Sequence, residues 1–191
     1  MNKILTTDSY LAGQILIAMP GMPDERFAKT VIYICAHTEE GAMGLVLNQR
    51  LDSLSFGELM GQLDLGAKNV IKNVPIYFGG PVEAGRGFVL HTSDYQQDAT
   101  LEVENGLALT ATVDILRAIA KGKGPEKSLL ALGYAGWGPG QLDMEIKANG
   151  WLQVAGSSEI VFDPNLDKKW ERAIESLGID LRMLSGASGR A

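Results

Sequence analysis

The single thiol of this chain, Cys35, stands two residues before His37, one of only two histidines. On an extended strand, side chains two apart project from the same face. A thiolate beside an imidazolium has a lowered pKa and is a competent nucleophile. Cα atoms two apart are separated by about 6.5 Å, however, so parallel side chains seldom meet without a bulge. A free cysteine is also commonly a small core hydrophobe. His91 is followed by Thr92 as His37 is by Thr38. Convergence of the two strand ends would build a two-histidine site with a hydroxyl donor; capping of strand ends is the plainer reading. Cys35, His37 and His91 do not have zinc-site spacing, so neither a metal nor any other cofactor is expected.

Two glycine-rich loops are candidate anion sites. Gly79-Gly80-Pro81 with Gly85-Arg86-Gly87 could form a nest of amides with Arg86 as counter-charge. Gly138-Pro139-Gly140 precedes a helical segment, whose free amides favour negative charge. Neither has the spacing of a dinucleotide fingerprint or a Walker loop, and tight turns explain both equally well. Trp137, within a glycine loop, is the tryptophan expected to be partly exposed; Trp170 is expected in the core. The acidic pairs Glu39-Glu40 and Asp143/Glu145 read as solvated faces. No nucleophile elbow, zincin helix or deaminase signature is present.

The elements that must position these residues are short and punctuated by 23 glycines. Gln14 to Met19 reads as a strand closed by Pro20-Gly21. Thr30 to His37 is apolar on both faces, as in a covered central strand, and Met43 to Asn48 returns as its hairpin partner. Ser55 to Leu63 reads as a helix opened by a Ser55/Glu58 capping box. Val74 to Phe78 and Gly87 to His91 are strands separated by the loop Gly79 to Arg86. Asn105-Gly106 joins a hairpin. A helix capped by Thr112 or Asp114 runs to Lys121. Ser128 to Tyr134 is a buried strand, Pro139 to Asn149 a helix, and Trp151 to Val154 and Glu159 to Phe162 the last strands. A final helix is expected with Asp163 as cap and Pro164 in its first turn, ending at Gly178. Strands outnumber helices without alternating with them, which is the pattern of a single α+β domain, residues 1–184, with a flexible tail over 185–191.

The chain has 191 residues, 46% of them apolar, enough to bury a core without disulfide or metal. Its net charge of −6 disfavours direct nucleic-acid binding, which needs clustered Lys and Arg. The longest basic cluster is Lys168-Lys169 with Arg172, interrupted by Glu171 and Glu175. A signal-peptide pattern and a membrane-length apolar run are both lacking, so the expectation is a cytoplasmic protein. An undefined small ligand or protein partner and an undefined oligomeric state complete the expectation.

Three stretches, taken together, resemble the AlgH/YqgE family of bacterial proteins: IAMPGMPDERFAKTVIYICAHTEEGAMGLVLN (17–48), GGPVEAGRGFVLH (79–91) and ALGYAGWGPGQLDME (131–145) continuing to Asn149-Gly150-Trp151-Leu152. The resemblance spans nearly the whole chain. It implies a mixed, bifurcated sheet folded into a pseudo-barrel with peripheral helices, and by family label a transcriptional regulator. It implies no reaction. The chain departs from the family pattern at Ala36, where an acidic residue is usual, and at Gln49-Arg50, where Arg-Pro is usual. The residues and the resemblance lead to a non-catalytic regulatory or ligand-binding protein acting indirectly on gene expression. The rival is a small enzyme or thiol redox sensor using Cys35 with His37 or His91.

Overall fold

The computed structural model describes residues 10–66 and 70–185. The N-terminal segment before Tyr10 and the tail beyond Ser185 lie outside them. Nine strands form one curled sheet: β1 (Gln14–Ala18), β2 (Val31–Thr38), β3 (Gly41–Val46), β4 (Ile76–Phe78), β5 (Val82–Thr92), β6 (Leu101–Glu102), β7 (Leu107–Thr110), β8 (Ser128–Trp137) and β9 (Trp151–Ala155). The order is β6-β7-β5-β8-β3-β2-β1-β9, with β4 joined to β8 off that path. Six helices, α1 (Phe56–Gln62), α2 (Val113–Ala120), α3 (Gln141–Lys147), α4 (Ser158–Val161), α5 (Leu166–Glu175) and α6 (Leu181–Ser185), lie on the sheet. The chain is a mixed α+β domain built on a half-barrel.

The fork in the sheet lies along β8. One edge of β8 carries β5 along most of its length. The other pairs in parallel with β4 from Leu130 to Leu132, then antiparallel with β3 from Ala135 to Trp137. At the change-over the Gly79 N–H donates to Leu132 O, and the Gly79 carbonyl accepts from Val46 N–H. Backbones meet there with no room for side chains. A Cβ on Gly79 would lie 2.3 Å from Gly133 O, one on Gly133 2.4 Å from Gly80 O, and one on Gly80 2.1 Å from the Tyr134 carbonyl carbon. The glycine spacing that suggested an anion nest therefore serves strand crossing.

Apolar alternation puts Ile15, Ile17, Val31, Tyr33 and Leu45 on one face of the sheet, under α5. Leu16, Ala18, Ile32, Ile34 and Val46 lie on the other, with Trp137, Leu142 and Trp151. Both faces of β2 are covered, which explains its unbroken apolar run. The α1 capping box and the Asn105-Gly106 hairpin form as their residues dictate, both turn residues having positive φ.

Several elements differ from the sequence reading. Glu159 to Phe162 is not a strand: the Ser157 hydroxyl accepts from Ile160 N–H and starts the helical turn α4. The cap of α5 is Asn165 rather than Asp163, whose carboxylate instead accepts from Asn165 N–H and Arg172. α6 carries too little periodicity to have been expected. The strand β5 begins at Val82, so the supposed loop is mostly irregular strand, with its register against β8 shifting between Val82 and Gly87.

The basic cluster on α5 is dispersed by folding. Lys168 pairs with Glu171 and Arg172 with Asp163. Lys169, 1% exposed, turns inward and donates to Leu47 O and Val161 O. Burial lowers its pKa to about 8, partly opposed by Asp163.

The crossing makes one comparison decisive. Gly80→Ala combines a severe backbone clash with φ +154°, and should cost at least about 3 kcal/mol in urea unfolding. Gly85→Ala meets nothing within 4 Å and should change stability by less than about 1 kcal/mol.

Candidate functional site

A β-bulge separates the two residues that sequence spacing placed together. Ile34 pairs with Gly44 and Ala36 with Met43, leaving Cys35 as the extra residue. Beyond the bulge the alternation inverts. Cys35 stays with Tyr33 in the core under α5, whereas His37 pairs with Ala42 on the opposite face. The shared face expected for the pair does not form. The thiol is 3% exposed, and burial pushes its pKa up to about 12. His37 Nδ1 accepts from Leu11 N–H at 3.1 Å, its ring meets Tyr10 edge-on, and Nε2 lies 3.8 Å from Asp143.

The histidines do not converge either. His91 pairs with Ser128 at the start of β8, and His37 is level, through Ala42, with Trp137 at its end. About 30 Å of strand separates those levels, at roughly 3.3 Å per residue. His91 is fully buried in a polar chain that defines its tautomer. Gln97 N–H donates to Thr100 Oγ1, which lies 2.8 Å from Thr110 Oγ1, itself 2.8 Å from His91 Nε2. His91 Nδ1, 2.8 Å from Thr92 O, faces an acceptor only and so carries the hydrogen. Burial depresses its pKa. Among the described residues no group of three His, Cys, Asp or Glu side chains is placed to hold a metal.

In each glycine loop the leading amide is already engaged. The Gly79 N–H is engaged by Leu132, and Gly138 N–H donates to the side chain of Gln141, on the first turn of α3. Gly140 has φ +69° and serves to enter that helix. Arg86 extends over the Phe88 ring and pairs with Glu83 at 3.4 Å. It borders a hollow of about 470 Å³ that also takes in Thr38 and Tyr134 and that neither histidine lines.

A different constellation emerges at the end of the half-barrel. Glu145 of α3 accepts from Trp137 Nε1 at 2.9 Å and Trp151 Nε1 at 2.8 Å through one oxygen, and from Gln141 Nε2 at 2.9 Å through the other. The two indoles meet edge-to-face at 6.1 Å, and Phe27 joins Trp151 at 6.0 Å. These tryptophans end β8 and begin β9, four strands apart in the sheet. On a flat sheet that separation is about 19 Å. The sheet curls until the two ends meet, and Glu145 joins them where no backbone pairing does. Trp137, expected to be partly exposed, is 7% exposed for this reason, and Glu145, itself half-buried, clamps the two indoles rather than standing free on a solvated face.

Beside the clamp opens a cleft of about 520 Å³, floored by Trp137, Gln141, Glu145 and Trp151 and walled by the Met19–Phe27 loop. Pro81 and Val82 close its far side. Arg26, on its rim, is held by Asp24 through two bonds of 3.0 and 2.7 Å, which keeps the Asp24 carboxyl below the usual range. Sequence reasoning missed this site because it sought catalytic spacings. The available signal was the i, i+4 pair Gln141/Glu145 flanked by a tryptophan eight residues before the glutamate and another six after it.

Two outcomes check this geometry. Cys35 should resist thiol reagents in the native protein and react fully after unfolding. Its raised pKa adds stability that is complete below about pH 9 and is lost as pH rises towards 12, so a Cys35→Ala variant should lose less over that window. Glu145→Ala orphans two buried indole N–H groups and should cost about 2–5 kcal/mol in chemical denaturation, with Glu145→Gln costing less.

Comparison with known proteins gives a consistent result. The sequence profile described as AlgH-like matches residues 15–182. A UPF0301 protein of Rhodospirillum rubrum is 54% identical, with 96% of each chain covered. One from Afipia carboxidovorans is also 54% identical, over 96% of this chain and 91% of that one. The solution structure of the AlgH protein from Pseudomonas aeruginosa superposes with a TM-score of 0.77 at 44% identity, covering 96% and 97% of the two chains. The crystal structure of a Corynebacterium diphtheriae protein reaches 0.73 at 25% identity, over 91% and 90%. Sequence, sheet topology and overall superposition agree: this chain belongs to the AlgH-like family.

Proposed function

We propose that the protein is a non-catalytic ligand-binding protein whose site is the cleft beside Glu145, and that any influence on gene expression is indirect, through occupancy of that cleft. The observation that carries this reading is convergence. The three stretches on which the family resemblance rests are far apart in sequence, yet each contributes a wall: Met19–Phe27 from the first, Pro81 and Val82 from the second, Gly136 to Trp151 from the third. A volume of about 520 Å³ with mostly apolar walls and a few fixed polar groups suits a small molecule.

Support for a non-catalytic role comes from where the reactive groups sit. Cys35 is in the core, and neither histidine borders the cleft. Glu145 is held by three N–H donors, the arrangement of a structural anchor rather than a mobile acid or base. Indirect action on transcription fits the net charge of −6 and the paired or buried state of the α5 cations.

Screening a fragment library by backbone and indole NMR tests the reading. Binders should shift the Trp137 and Trp151 indole signals together with amides of the Met19–Phe27 loop. Shifts clustered instead at Thr38, Arg86 and Tyr134, around the second hollow, would overturn it.

A further inference from the structure

We propose that the cleft selects an organic cation, an ammonium group carried on an apolar body; this rests on the ligand-site reading above and names the chemistry of its occupant. The argument begins with charge. The ionisable groups bordering the cleft are Asp24, Arg26 and Glu145. Asp24 and Arg26 neutralise each other through their two-point contact, and the guanidinium lies over the Phe27 ring at 5.6 Å. Glu145 is different. All three groups bonded to it are neutral donors, and its carboxylate takes part in none of the ion pairs found among the described residues. The cleft therefore presents one uncompensated negative charge.

Geometry adds a vacancy in bonding capacity. An ionised carboxylate offers about four lone-pair directions. Two indole N–H groups share Oε2, and Gln141 alone reaches Oε1, so one direction on Oε1 is left for a further donor. Phe27, Trp137 and Trp151 line the same cleft as that carboxylate, and Met22, Pro20 and Pro23 extend the apolar wall. Aromatic rings next to a carboxylate attract a cation electrostatically, the more so where water is partly excluded. An anionic ligand meets the opposite: Glu145 repels it, and the indole N–H groups that could donate to it are already engaged. The net charge of −6 raises the local concentration of cations around the whole molecule.

Three probes of one shape and different charge test this: 2-phenylethylamine, 2-phenylethanol and 3-phenylpropionate. Each is titrated into the intact protein while the indole N–H signals are followed. Trp170, whose Nε1 donates to Ala18 O, is the internal control and should not move. The amine should shift Trp137 and Trp151 and bind at least about tenfold more tightly than the alcohol or the acid, as an added charge contact of this kind allows. In Glu145→Gln, which keeps an oxygen for the indoles, that preference should fall to less than about threefold. If the alcohol or the acid shifts the same signals as well as the amine does, the ligand site stands and the cation preference is overturned. If none of the three moves them at millimolar concentration, the ligand-site reading falls and the inference with it. Should Glu145→Gln lose its fold, the three wild-type titrations still decide; should it fold and keep the full preference, the role given to Glu145 is overturned.

Discussion

Two backbone segments cross at Gly79-Gly80 and Gly133, closer than any side chain permits, and the shape of the molecule follows from that contact. It lets β4 wedge between β8 and the continuation of β3, so that β8 serves two partners on one edge. Once the sheet has forked, its β3-β2-β1-β9 arm is free to curl independently of the arm formed by β5, β6 and β7. The curl brings the end of β8 round to the start of β9. The same contact sets the entry to β5, and Pro81 before the strand and Val82 at its start pass beside the cleft.

The core is arranged around that curl in three apolar groups. One lies under α5 and includes Cys35 and Tyr33, one is enclosed by the curl with Trp137 and Trp151, and one packs α1 and α2 on the β4–β5 side of the fork. Several polar groups admitted to these interiors have specific partners. Lys169 is accommodated by two carbonyls, one after β3 and one in α4. The Trp170 indole reaches Ala18 O, and His91 ends a directed chain of hydroxyls. Each ties distant parts of the chain at a place where an apolar residue would have sufficed for volume alone, which is how buried polar contacts favour one arrangement over near alternatives.

Much of the scaffold was legible in the residues. The β-branched run of β2, the Ser55/Glu58 capping box and the Asn105-Gly106 turn each follow from local rules and fold accordingly. What local rules could not supply were two long-range facts. A one-residue bulge at Cys35 inverts the alternation on which the pairing of Cys35 with His37 rested, and nothing in VIYICAHT marks it. The meeting of Trp137 with Trp151 depends on the accumulated curl of five strands, a property of the whole sheet. Glycines were legible as special positions but ambiguous in purpose, since a nest for an anion and a crossing of strands ask for the same residue. The apparent basic cluster failed for a related reason: whether Lys169 faces water or the interior depends on what lies beneath α5.

Closure of the half-barrel by a carboxylate rather than by a strand ladder has a consequence for motion. A seam stitched by two indole–carboxylate bonds can part and re-form without unpairing a single strand, so its opening belongs to the low-energy, local end of the fluctuations a domain undergoes. The floor of the cleft and the latch of the barrel are the same residues. Whatever settles there thereby grips a join that strand pairing leaves unsewn.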